Sequence, residues 1–91
     1  MATVVTFDLH NANAGKYDEA HAILAQLGFV QWFQTQAGQP MPLPEATAMG
    51  ERPEGALVLR DLIWQRFAAA GLNPKRIFVA DFASWGAYSV A

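Results

Sequence analysis

Residues 4–29 read VVTFDLHNANAGKYDEAHAILAQLGF, and the change of period inside them decides the fold. Thr3 to Leu9 is short and rich in β-branched and aromatic residues, which predicts a strand buried on both faces and therefore central in its sheet. It reaches one carboxylate, Asp8, then breaks into a polar loop containing His10, Asn11, Asn13 and Gly15. From Lys16 the apolar residues Tyr17, Ala20, Ile23, Leu24 and Leu27 recur at helical spacing, with Gly28 as a stop signal. A helix from about Lys16 to Leu27 follows, with Asp18, Glu19 and Gln26 outward and His21 at the surface or boundary.

Beyond it, Phe29 to Gln34 is aromatic and reads as a second strand, ending in a Pro- and Gly-containing segment, Thr35 to Pro44, that predicts a loop or irregular hairpin. Glu45 to Gly50 supplies a third strand despite poor intrinsic propensity. Arg52-Pro53-Glu54 resembles a helix entry, and Glu54 to Ala70 carries Ala56, Leu59, Ile63, Phe67 and Ala70 on one stripe before Gly71. A second apolar line, Leu57, Trp64 and Ala68, makes this helix stickier than one sheet requires. Arg76 to Phe82 is the last strand, followed by the tail ASWGAYSVA. The order β-α-β-β-α-β predicts an α+β, ferredoxin-like layout: a four-stranded antiparallel sheet with both helices on one face.

Length and composition set limits on this reading. Ninety-one residues predict a single domain, residues 1–91, with a core that needs no metal or disulfide staple. Hydrophobic residues are 53% and charged residues only 15%, so apolar surface should remain once the core is filled. The helix-free sheet face or a sheet edge is then the expected contact of a homodimer. There is no Cys, which excludes thiolate chemistry and a disulfide frame. The start of the chain lacks a basic segment, and no apolar run approaches the ~18 residues of a membrane span, so a soluble, cytoplasmic protein is expected. A net charge of −2 offers no global attraction to nucleic acid.

Candidate chemistry centres on Asp8. At the carboxyl end of a central strand it is placed to meet a ligand or metal, or to organise the following loop by accepting backbone N–H bonds. In a symmetric dimer two copies of Asp8 brought together would bind a divalent cation or share a proton. His10, two residues on, falls on the same side of an extended strand and has the chemistry of a general base or second ligand; a solvated loop histidine is the plainer alternative. The loop NANAG suits a helix cap better than a phosphate cradle, since it lacks the spacings of known phosphate loops. Of the six basic residues, Lys16 beside the Asp8 loop is the candidate phosphate contact, with Arg52 a second. Trp32, Phe33, Trp64, Trp85 and Tyr88 have the surface to stack on bases, but packing is the commoner use. Trp32 and Phe33 are adjacent on a strand and point to opposite faces, which makes Trp32, with Trp64, an interface candidate.

The strand end F-D-L, the Asn/Gly loop, Y-x-x-A-x-x-x-L-x-x-L-G-F, P-x-x-T, L-R-D-x-I-x-x-x-F and a final W-G together resemble a superfamily of small ferredoxin-like proteins. It contains the CRISPR-associated endoribonuclease that serves as the smaller spacer-integration subunit, the VapD toxin ribonucleases and the GhoS antitoxin. The resemblance spans Val4 to about Trp85. It implies a homodimer in which an acid at the end of the first strand, here Asp8, joins its symmetry mate in holding a magnesium ion that activates water on a phosphodiester.

Two functions are therefore expected. One is a metal-dependent endoribonuclease of a toxin-antitoxin or defence type, with Mg²⁺ on paired Asp8, His10 assisting proton transfer, and Lys16 or Arg52 on RNA or DNA phosphate. The other is a non-catalytic interaction or inhibitory module of a mobile element that presents an apolar sheet face and the Trp64 line to a protein partner.

Overall fold

The computed structural model describes residues 2–34 and 37–87. Seven elements follow one another: β1 (Ala2–Leu9), α1 (Ala14–Gln26), β2 (Trp32–Gln34), β3 (Pro40–Pro42), β4 (Thr47–Glu51), α2 (Ala56–Ala69) and β5 (Pro74–Phe82). They form an α+β fold with two helices, a three-stranded sheet of order β4-β1-β5 and a separate two-stranded sheet of β2 and β3. All named strand pairs are antiparallel. Among the described residues no helix is long and apolar enough to cross a membrane.

β1 is central, as its β-branched run predicts, but it is not buried on both faces. Its burial alternates: Thr3, Val5, Phe7 and Leu9 are buried, whereas Thr6 and Asp8 are exposed. Period-2 alternation of this kind marks a sheet covered on one side only. The covered side holds the core, where Val5, Phe7 and Leu9 meet Ala20 and Leu24 of α1 and Leu59, Ile63 and Phe67 of α2. Phe7 is the hub. Its ring stacks on Tyr17 at 5.8 Å and meets His21 and Phe67 edge-on at 5.4 and 5.1 Å. Aromatic contacts of these geometries add to the stabilisation from area burial alone.

The four-stranded sheet expected from the sequence is met in part. Of the strand expected over Phe29–Gln34, Val30 makes an isolated antiparallel bridge to Met49 of β4, with N–H to carbonyl distances of 2.9 Å in both directions. The chain then leaves β4, and Trp32–Gln34 pairs with β3 instead. The Pro-rich segment is thus the hairpin alternative of the sequence reading. It tolerates Pro40 and Pro42 because the Leu43 N–H donates to the Gln31 carbonyl, which fixes the register. Residues of Leu43's parity face β2, and the two prolines fall on the alternate positions, where a missing N–H breaks no bond between these strands.

Both helices start away from the expected residues, for separable reasons. α1 begins at Ala14 because Asn13 caps it: its side-chain oxygen accepts the Lys16 N–H at 3.0 Å. The NANAG loop is a capping loop. α2 begins at Ala56 and not Glu54, behind Gly55, which has φ 89° and no side chain to cap with. Asp81 of β5 supplies the missing acceptor. Its Oδ2 accepts the Ala56 N–H at 3.1 Å, while its Oδ1 accepts the hydroxyl of fully buried Thr3 at 2.8 Å. One carboxylate thereby serves the first strand, the second helix and the last strand, and its charge suits the positive end of the helix dipole.

Candidate functional site

Asp8 lies near the end of β1 on the helix-free face, with its side chain 54% exposed. Its Oδ2 accepts a hydrogen bond from Arg76 Nε at 3.1 Å, and the two residues are directly opposed across β1 and β5. Among the described residues this cross-strand ion pair replaces the expected backbone N–H bonds to Asp8. An exposed pair of this kind contributes on the order of 0.2–1 kcal/mol. Lys75 and Arg76 border the surface beside Asp8, together with Trp64 and Phe78. Sequence reading did not single out Arg76 as a partner, because its register with Asp8 depends on a pairing 68 residues away and on a shift between Asp8 and Leu9.

The remaining expected site residues do not converge on Asp8. His10 lies beyond the end of β1, exposed, and its backbone N–H donates to the Asn73 carbonyl at 3.0 Å. Because β1 ends at Leu9 and Asn11 takes φ 46°, the extended-strand argument that put His10 beside Asp8 does not apply. Lys16 sits in the first turn of α1 and pairs with Glu19 at 3.9 Å. Arg52 follows β4 at the opposite end of the sheet, since Glu51 faces Ala2 while Thr47 faces Thr6. Asp8 lies six residue steps along β1 from Ala2, which is about 20 Å of strand. Arg52 instead clamps Glu54 with Nε and Nη2 and donates from Nη1 to the Leu27 carbonyl at 3.1 Å. That hydrogen bond holds Glu54 below, and Arg52 above, its ordinary pKa. Arg52 is a structural tie between α1 and the entry to α2, and it makes no joint site with Asp8.

Trp32 and Phe33 divide as expected. Phe33 is buried and Trp32 is 45% exposed. Phe33 meets Trp85 edge-on at 5.1 Å, which brings the segment after β5 onto the hairpin. Trp64 is 37% exposed, and Leu57 and Val58 of the same helix are exposed to 70% and 54%, so α2 does carry more apolar surface than its sheet consumes. Tyr88 lies outside the described residues.

His21 departs furthest from expectation. It is 9% exposed, packed edge-on against Phe7, and its Nδ1 is buried without a hydrogen-bond partner among the described residues. Burial depresses its pKa below the usual 6.5, opposed by the charge of Asp18 three residues earlier on α1. The consequence for stability has a definite sign. As pH falls through 6.5 the unfolded chain takes up the proton before the folded one does, so folding free energy is lost toward acid. Urea unfolding at pH 7.5 and pH 5.0 should therefore show a stability loss that is smaller in His21→Phe than in the wild type. Equal losses in both would mean that His21 titrates normally.

Among the described residues no group of three or more His, Cys, Asp or Glu side chains is placed to hold a metal ion. A single ion-paired carboxylate per chain is a poor magnesium site, because Mg²⁺ requires several oxygen ligands in near-octahedral geometry. No family model and no curated protein matches the chain.

Proposed function

We propose that the protein acts by association, with the helix-free sheet face as the contact surface and a second copy of the chain as the partner. The observation that carries this reading is the character of that face. Val4, Met49, Phe78, Ala80 and Phe82 share it by strand register, and Phe78 is left 63% exposed. Beside them, Phe33, Leu43 and Trp85 complete an apolar groove of about 430 Å³. Exposed aromatic surface of this extent on so small a chain is the mark of an interface. A ferredoxin-like frame suits the same reading, because the order β5-β1-β4 continues through the Val30–Met49 bridge toward the position of a fourth strand. Dimers of this architecture would pack open face to open face.

Analytical ultracentrifugation of wild type and Phe78→Asp tests it. The wild type is expected to sediment as a dimer at micromolar concentration and the variant as a folded monomer, with dimer affinity reduced at least about 100-fold, as for the loss of a central aromatic anchor. A wild type that stays monomeric, or a variant that stays dimeric, removes the open face as the contact.

One observation favours a second reading, the metal-dependent endoribonuclease. Asp8 stands exposed on the same open face beside Lys75 and Arg76, so face-to-face dimerisation would bring two carboxylates and four cationic side chains together. The carboxylates would be the magnesium ligands, Mg²⁺ would supply an activated water, and the cations would hold phosphate. Labelled RNA incubated with the protein and Mg²⁺, beside Asp8→Asn and an EDTA control, decides it. Cutting that is lost in both controls supports catalysis, and its absence leaves association as the function.

A further inference from the structure

Strand β5 forms one edge of its sheet, bonded to β1 on one side and to no other strand among the described residues. The register shows which of its backbone groups are left over. The Phe7 N–H donates to the Ala46 carbonyl, so Phe7 and the β1 residues of its parity turn their backbone toward β4. Val4 and Thr6 therefore turn toward β5, where they oppose Ala80 and Phe78. The N–H and C=O groups of Ile77, Val79 and Asp81 fall on the alternate positions and point outward from the sheet, without a backbone partner among the described residues.

Proteins blunt such an edge with charges, prolines or bulges along its length. β5 carries these devices toward its ends: Pro74, Lys75 and Arg76 at the register shift opposite Asp8 and Leu9, and Asp81 near the close. Between them Ile77-Phe78-Val79-Ala80 is uncharged, free of proline and regularly registered. The helices do not seal this edge. Ile77 and Val79, which oppose Phe7 and Val5 on the core side, are only partly buried.

We propose that β5 is a strand-pairing edge whose partner is β5 of a second copy, antiparallel and centred on Phe78. The order of charges selects this arrangement. Lys75 and Asp81 form no ion pair among the described residues. Antiparallel pairing about Phe78 sets each Lys75 level with the second copy's Asp81, whereas parallel pairing sets like charges together. The Asp81 oxygens keep lone pairs for that contact beyond their bonds to Thr3 and Ala56. The same centre opposes Ile77 to the second copy's Val79 as pairs that exchange both N–H···O bonds, and opposes Phe78 to its symmetry mate at a non-hydrogen-bonded site, where side chains come closest. Moving the centre by one residue misaligns Lys75 and Asp81 and sets Phe78 against Ala80 or Arg76. The joined sheet has the order β4-β1-β5-β5-β1-β4. This contact goes beyond the face contact, because a face-to-face dimer keeps both β5 edges open.

Because the chain has no Cys, single cysteines report the geometry. Phe78→Cys is expected to form a covalent dimer under mild oxidation, since opposed Cα atoms at a non-hydrogen-bonded site stand about 4.5 Å apart, within disulfide reach. Packed sheet faces are about 10 Å apart, beyond the ~7 Å limit, so the face contact alone leaves this variant uncrosslinked. Ala80→Cys is the control, because the proposed register places its symmetry mate four residues along the strand, about 13 Å away. In the wild type, hydrogen exchange of the Ile77 and Val79 amides should slow at least about tenfold between about 10 µM and about 1 mM protein, and Lys75→Glu, at an exposed position, should lose most of that slowing. A folded Phe78→Cys that stays uncrosslinked, equal crosslinking of Ala80→Cys, exchange at Ile77 and Val79 that ignores concentration, or undiminished slowing in Lys75→Glu would each overturn the proposal.

Discussion

Gly50→Ala is expected to unfold most of the protein at 37 °C, although the change adds a single methyl group. A Cβ at residue 50 would stand 2.3 Å from the Gly28 carbonyl oxygen and 3.1 Å from Cδ1 of Phe29. The first neighbour is backbone and cannot rotate aside, and the second belongs to a ring that is 1% exposed. Relief requires the Gly28–Phe29 segment to lift away from β4, which breaks the two backbone hydrogen bonds between Val30 and Met49. Overpacking of a well-filled interior typically costs 1–3 kcal/mol, and a rigid backbone clash stands at or above the upper end of that range. In a chain of this length each kcal/mol lowers Tm by roughly 4–8 °C, so a fall of about 12–25 °C is expected by calorimetry. Gly28→Ala is the informative comparison. Its added Cβ meets nothing within 4 Å, and only its φ of +92° is unfavourable, so the fall should be clearly smaller. If the two variants melt together, the close approach at Gly50 is not what limits the fold.

The second large effect is at Phe7. Its ring is 3% exposed and touches Tyr17, His21 and Phe67, so it joins β1 to both helices at once. Phe7→Ala removes all three ring contacts and leaves a cavity where neither helix can collapse without losing its partner across the sheet. A loss of about 3–5 kcal/mol is expected, most of the stability of a small domain. Phe78→Ala, a substitution of the same type on the open face of the adjacent strand, should change monomer stability by less than about 1 kcal/mol. Urea midpoints of the two variants at a concentration where both are monomeric would separate core from surface. Similar losses at the two positions would contradict the one-sided burial of β1.

What could be read in advance and what could not follow from the range of the interactions. β1 and α1 were legible because their signals are local: β-branched density from Thr3 to Leu9, helical spacing from Tyr17 to Leu27, and NANAG as a capping loop, within which the structure makes Asn13 the cap. The stripe Leu59, Ile63, Phe67 was legible for the same reason, and all three are fully buried. The start of α2 was misplaced because its cap is not beside it in sequence; Pro53 and Glu54 look like an entry, but Asp81 provides the acceptor. The second strand was overextended because aromatic propensity from Phe29 to Gln34 is continuous, while the partner changes from β4 to β3 within it. His21 looked like a boundary residue on a helical wheel. The ring of Phe7, which shields it, belongs to another element. Of the candidate site, the position of Asp8 at the end of the central strand was foreseen, whereas its exposure, its pairing with Arg76 and the distance to Arg52 required the one-sided sheet and the strand register.

The bond pattern of Asp81 also bears on how the chain assembles in time. Its two oxygens reach Thr3 and Ala56, which precede it by 78 and 25 residues. Until β5 has docked, therefore, the first turn of α2 has no side-chain acceptor and the Thr3 hydroxyl has no partner. At a synthesis rate of ~5–20 residues per second, the interval between the appearance of Ala56 and that of Asp81 is about 1–5 s, long compared with the microseconds in which helices and hairpins form and melt. The nascent α2 thus passes through many cycles of fraying at its leading end before a single late carboxylate closes both gaps, and cooperative folding of this chain waits on its final strand.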